Sequence, residues 1–202
     1  GMKTDPAIVR RDLSYAKRLG LNSVRIWLSY RRFEEIGAEY IAQLVTFVRT
    51  CHEEGVSVVP ILFNGNGLDP AVLQESFLPR ADRFTQAVVK ALQDEPGLLM
   101  YDAMNEPPCN DLILKAPDEE TKQAVYAQIW RFVRHVCKQI KRLDPVNCLT
   151  VGNWLAADIA SSADLVDVIS YHDYSPTISG VRNAAEAALA EGRRWGKPVI
   201  NN

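Results

Sequence analysis

Tyr101-Asp102-Ala103-Met104-Asn105-Glu106-Pro107-Pro108 is the stretch on which the fold turns. The apolar residues Leu98, Leu99 and Met100 lead into it, and two prolines close it. The pattern is that of a buried strand ending in a loop, with an amide and a carboxylate at the junction. When strands alternate with helices in a barrel, reactive groups project from this end of the strands. An Asn beside a Glu at such a place suits sugar chemistry. The acid can protonate a glycosidic oxygen while the amide binds a neighbouring hydroxyl.

Reading outward, helical and strand signals alternate along the whole chain. Asp5-Pro6 opens a helix as cap and first-turn proline, with Val9, Leu13 and Ala16 on one face and Gly20 at its end. Residues 23–28 read as a strand. Ile41, Leu44, Val45 and Val48 mark a second helix that stops at Gly55, and residues 56–63 are a β-branched buried strand. Phe84, Val88 and Leu92 mark a third helix, followed by a strand over residues 98–104. The longest helix carries Val125, Ile129, Val133, Val136 and Ile140, and Asp144-Pro145 closes it. Short strands at 149–151 and 166–171, a helix over about 181–194 and a last strand at 198–201 complete the pattern. About six strands separated by helices imply a parallel sheet, because parallel neighbours need a crossover. The pattern alone fits a doubly wound open sheet or an eight-stranded barrel. Asn64-Gly65-Asn66-Gly67 lacks the spacing and the lysine of a phosphate cradle, which weakens a nucleotide-binding version.

The bulk properties narrow the function classes. A net charge of −2 gives no reason to expect a nucleic-acid or anionic-membrane partner, and no apolar run approaches the roughly 20 residues of a spanning helix. Length and a 47% hydrophobic fraction suit one sizeable core, so residues 1–202 read as a single domain. Cys51, Cys109, Cys137 and Cys148 are widely spaced and read as reduced thiols or small hydrophobes, without zinc spacing. Gly1 before Met2 reads as a tag remnant. A native start at Met2 would favour the cytoplasm; removal of a signal segment would mean secretion.

Several polar residues stand out. Arg25 lies in the otherwise apolar Val24-Arg25-Ile26-Trp27-Leu28, and an inward Arg needs a carboxylate partner. His172 and Tyr174 follow a strand end and can both face a substrate. His52 and His135 read as surface or packing residues within helices.

With Leu19-Gly20-Leu21-Asn22-Ser23-Val24-Arg25-Ile26-Trp27, Met104-Asn105-Glu106-Pro107, Ser170-Tyr171-His172-Asp173-Tyr174-Ser175-Pro176 and Gly196-Lys197-Pro198-Val199-Ile200 in this order, the chain resembles the cellulase-like family 5 glycoside hydrolases. The resemblance also extends to the wider clan of retaining (β/α)8 glycosidases. It implies an incomplete TIM barrel of α/β class covering about strands two to seven. Glu106 then corresponds to the acid/base, Asn105 to its sugar-binding neighbour and Arg25 to the arginine that orients the nucleophile. His172 and Tyr174 correspond to the pair lining the cleavage site after strand six. Trp154 becomes a sugar platform, and Asn64 a substrate contact where the family often has a His. Trp27 and Trp195 are expected to pack in the core.

The family pattern places the nucleophile Glu directly after Asn202, and strands one and eight have no counterpart. The expected consequences are open sheet edges, a Glu106 that ionises more readily without a neighbouring carboxylate, and an Arg25 that turns to Glu106 or Asp102. The implied substrate is a β-linked glucan, mannan or related oligosaccharide, cleaved with retention, with no metal or organic cofactor. The chain as it stands is expected to be doubtful as a catalyst. The alternatives are a non-catalytic carbohydrate binder using Trp154, Asn105 and His172, and a homo-oligomer whose copies cover each other's open barrel edges.

Overall fold

A computed structural model describes residues 5–202; Gly1 and Met2 lie outside them. Among the described residues, six strands form one sheet in sequence order: β1 (Ser23–Trp27), β2 (Ser57–Asn64), β3 (Tyr101–Asn105), β4 (Leu149–Asn153), β5 (Ile169–Tyr171) and β6 (Val199–Asn201). All neighbouring pairs are parallel. The sheet curls into an incomplete (β/α)8 barrel, with β1 and β6 as its edges.

The helices begin and end where side chains can satisfy their free backbone groups. In α1 (Pro6–Arg18), Asp5 accepts from the Ala7 amide at 2.9 Å, and Val9 and Leu13 are the buried stripe. Between β1 and β2 lie α2 (Tyr30–Ile36) and α3 (Ala38–Glu53); α4 (Leu78–Leu92) precedes β3. After β3 come the single turn α5 (Asp111–Leu114) and α6 (Glu119–Leu143), the latter capped by Asp118 on the Thr121 amide at 2.7 Å. Helix α7 (Ile178–Trp195) leads to β6 and stops at Gly196, whose φ of 64° is the left-handed conformation a C-terminal glycine supplies. The layer between sheet and helices is aromatic: Phe63 packs edge-on against Phe84 and Phe132, with centroids 5.7 and 5.0 Å away.

Three local differences from the pattern reading have physical causes. Helix α2 was not legible, because its seven residues bury none of their side chains completely and so show no full apolar stripe. Two 3-10 turns, Pro70–Leu73 and Glu75–Phe77, lie between β2 and α4, where the pattern reading assigns no element. Strand β3 starts at Tyr101 rather than residue 98. The Val58 amide donates to Gly97 and its carbonyl accepts from Leu99, but the ladder then lapses until Ile61 faces Asp102. The residue between, two beyond Val58, is Pro60, which has no N–H to give.

The edge strand also corrects one expectation. Trp27 is 56% exposed and is no core residue. Strand periodicity puts it on the face of Arg25, whose guanidinium lies 5.9 Å from the indole centroid, and no neighbouring strand covers it. Trp195 does pack against the core, and its indole N–H donates to Glu191 at 3.0 Å. His52 is exposed, and His135 is half-buried beside Asp82 at 2.7 Å. All four cysteines are free. Among the described residues, no helix is long and apolar enough to cross a membrane.

Candidate active site

Glu106 is the first residue beyond β3, on the end of the sheet from which the strands' C-termini emerge. Its φ of 43° is uncommon for a residue with a side chain and marks local backbone strain. Two contacts hold it there. Its amide donates to the Gly152 carbonyl at 2.7 Å, and its carbonyl accepts from Cys109 at 2.9 Å. Gly65 lies so close that a Cβ on it would stand 2.0 Å from the Glu106 carbonyl oxygen. Only glycine permits that approach.

Glu106 is 4% exposed, and three side chains donate to its carboxylate. Tyr174 Oη donates to Oε1 at 2.5 Å, and His172 Nδ1 lies 2.7 Å from the same oxygen. A carboxylate only accepts, so the imidazole proton sits on Nδ1. Asn66 Nδ2 donates to Oε2 at 3.0 Å. Burial pushes the Glu106 pKa up and is the largest single influence. The donors Tyr174, His172 and Asn66 together outweigh it, so the group titrates below the ordinary glutamate range. The same carboxylate, with burial, pushes the Tyr174 phenol up to about 12. Burial, then the charge of Glu106, raises the Cys109 thiol.

Arg25 and Asn105 form the second half of the site. Arg25 Nη2 donates to Asp102 Oδ2 at 2.5 Å and to Asn105 Oδ1 at 3.2 Å. Strict alternation would put residues 102 and 105 on opposite faces of β3. A register shift against β4, between Asp102 and Asn105, brings both to the same guanidinium. Of the two partners expected for Arg25, the structure has Asp102, which is completely buried. Asn105 Nδ2 in turn donates to Asn64 Oδ1 at 3.1 Å. Gly152 leaves room for this crowding, since a Cβ there would lie 2.8 Å from Arg25 Nη2 and 3.0 Å from His172 Nε2. That Nε2 and Arg25 Nε are buried without a hydrogen-bond partner among the described residues, which leaves polar capacity unused inside the barrel.

Trp154 is half-buried just beyond β4. It lines a cavity of about 370 Å³ together with His172 and Tyr174, and a second of about 510 Å³ with Pro108, Tyr126 and Leu155. The structure therefore groups Glu106, His172, Tyr174, Arg25, Asn105 and Asn64 in one network, with Trp154 on the rim beside His172. Asn64 bridges Asn105 to the following loop, its Nδ2 donating to the Asn66 carbonyl at 3.0 Å. Asn66 is the member that pattern reading did not single out; Asp102 it named only as an alternative partner of Arg25. Among the described residues, no three His, Cys, Asp or Glu side chains group as metal ligands would.

A family model described as Cellulase (glycosyl hydrolase family 5) matches residues 6–199. None of the curated proteins compared with the chain matches it. Among solved structures, the chain is similar to the endo-1,4-beta-mannanase from Rhizomucor miehei, with a TM-score of 0.77 at 14% identity, covering 98% of this chain and 73% of that one. It is similar to the Pseudomonas stutzeri endoglucanase Cel5A, with a TM-score of 0.71 at 14% identity over 94% of this chain and 65% of that one. It is also similar to GH5_18 from Streptomyces cattleya, determined in complex with GlcNAc, with a TM-score of 0.68 at 19% identity. There it covers 84% of this chain and 46% of the other. At such identities the likeness speaks to the fold.

Proposed function

Since the chain belongs to the cellulase family, glycosyl hydrolase family 5, we propose that it serves retaining O-glycoside hydrolysis of a β-linked glucan, mannan or related oligosaccharide, with Glu106 as acid/base. One observation carries the reading. A buried carboxylate at a strand's C-terminal end has Tyr174 and His172 on one oxygen and room for a proton on the other.

In the first step the protonated Glu106 gives its proton to the glycosidic oxygen, and the C–O electron pair leaves with that oxygen. The anomeric carbon takes a new pair from a second carboxylate on the opposite face, about 5 Å from the first. Arg25, hydrogen-bonded to Asn105 and facing the barrel interior, is suited to orient that second carboxylate, and Asn105 to bind a sugar hydroxyl beside the cleaved bond. Trp154 offers an apolar ring to the C–H face of a sugar. A second carboxylate would also raise the pKa of Glu106 and keep it protonated at higher pH.

A second reading, glycan binding without cleavage, is favoured by the engagement of Arg25. Among the described residues its carboxylate partner is Asp102, on the same strand run as Glu106 rather than opposite it. Calorimetric titration with gluco- and manno-oligosaccharides, beside a chromogenic β-glycoside assay, separates the two. Binding with turnover that Glu106→Gln abolishes is the hydrolase; binding without turnover is the binder. No binding of any β-linked oligosaccharide at millimolar concentration refutes both.

A further inference from the structure

We propose that Asn66 is a positioning residue that reserves Glu106 Oε2 as the proton-delivering oxygen and stabilises the charge left there when the proton departs. This rests on the acid role proposed for Glu106, but its test does not require turnover.

The assignment follows from the lone pairs. Each carboxylate oxygen has two in-plane acceptor positions. Both positions of Oε1 are taken, by Tyr174 Oη at 2.5 Å and His172 Nδ1 at 2.7 Å. A proton on Oε1 would displace one of these donors. Among the described residues, the one N–H or O–H donor that reaches Oε2 is Asn66 Nδ2 at 3.0 Å, with the weakly donating Cys109 thiol also near the carboxylate, so Oε2 is the oxygen that can take a proton without displacing a strong donor. The proton therefore binds Oε2, and Asn66 fixes the direction in which it points. As the O–H bond breaks, its electron pair stays on Oε2 and the proton joins the glycosidic oxygen. The Asn66 N–H then faces a growing negative charge, so its hydrogen bond strengthens as the transition state forms.

The backbone around Asn66 is built to hold it. The Gly65 amide donates to the Asn105 carbonyl at 2.7 Å, and Leu68 closes a turn onto the Gly65 carbonyl at 3.0 Å. Asn64 Nδ2 donates to the Asn66 carbonyl at 3.0 Å, and Gly67 has a φ of 69°. Asn66 itself is exposed and packs no core, so replacing it leaves the fold without a cavity. The ionisable groups that face Glu106 are His172 and Tyr174 after β5 and Cys109 after β3; Arg25 on β1 touches its neighbour Asn105. Asn66 is the donor supplied from the loop after β2, and it is neutral, so its removal changes hydrogen bonding without changing the local charge.

The experiment is a carboxyl-carbon NMR titration of Glu106 in the whole chain. Wild type is compared with Asn66→Ala and with the near-isosteric Asn66→Asp, and melting curves confirm that each variant is folded. Loss of the donor should raise the Glu106 pKa in Asn66→Ala. Asn66→Asp should raise it further, because a like charge replaces the donor. A role confined to loop structure would not order the two variants in this way. Identical Glu106 titrations in all three proteins overturn the assignment to Asn66. Failure of wild type to bind β-linked oligosaccharides, with the titrations ordered as expected, instead overturns the sugar reading.

Discussion

Replacing Gly65 with alanine should disturb the candidate acid more than any other change of one methyl group. The added Cβ would stand 2.0 Å from the Glu106 carbonyl oxygen, 2.7 Å from its carbonyl carbon and 2.9 Å from the Pro107 carbonyl oxygen. All three are backbone atoms, which cannot swing aside as a flexible side chain can. Real Cβ contacts start at about 3 Å, so the segments after β2 and β3 must separate by about 1 Å. That movement works against the Gly65–Asn105 hydrogen bond of 2.7 Å and carries Asn66 away from Oε2. Overpacking costs about 1–3 kcal/mol and a lost backbone hydrogen bond about 1 kcal/mol more. A total of about 3 kcal/mol corresponds to a melting temperature lower by roughly 6–12 °C in a chain of this size. Any turnover should fall by about a hundredfold, the usual effect of misplacing a reacting group by 1 Å. Gly67→Ala is the contrast. It meets nothing within 4 Å and suffers only its φ of 69°, which should cost about 1–2 kcal/mol and leave Glu106 undisturbed. Differential scanning calorimetry and the Glu106 carboxyl NMR signal read both variants. A Gly65→Ala protein that melts with wild type and keeps the native Glu106 signal would refute the close approach and the rigidity argued from it.

Other perturbations test the electrostatics. Arg25→Met strands a fully buried Asp102 and should cost about 3–5 kcal/mol in urea unfolding, with part recovered when Asp102→Asn is added; equal losses in the single and double variants would deny the pairing. The Tyr174 phenol, titrating at about 12 beside the carboxylate, should ionise at lower pH in Glu106→Gln when followed by ultraviolet absorbance, and an unchanged phenol would mean that the two groups do not touch. Glu106 has a folded pKa below its unfolded value, so the stability it contributes is complete above about pH 4.3 and is lost as pH falls through the folded value. The stability lead of wild type over Glu106→Gln should therefore shrink on acidification across that window. A lead that grows there would reverse the sign argued for the three donors.

Much of this molecule was legible in its amino-acid order. Strand and helix periods follow from which side chains must be buried, and those are local properties, so all six strands could be located and the barrel class inferred once the motifs were joined to them. The candidate-site residues stood out for two reasons: Glu106, Asn105, His172 and Tyr174 are polar groups at or just beyond the end of an apolar strand, and Arg25 is a charge inside one. Other features depend on how strands distant in sequence meet. Pro60 delays β3 only because it faces that strand, and Asp102 shares Arg25 with Asn105 only through the register shift against β4. Trp27 is exposed because β1 is an edge, which its own hydrophobicity could not reveal. Asn66 reaches Glu106 across 40 positions of sequence, and nothing in Asn64-Gly65-Asn66-Gly67 specifies which carboxylate it will meet. Periodicity determines which face of an element is buried; the curl of the sheet and its register determine which polar groups on that face come within hydrogen-bonding distance.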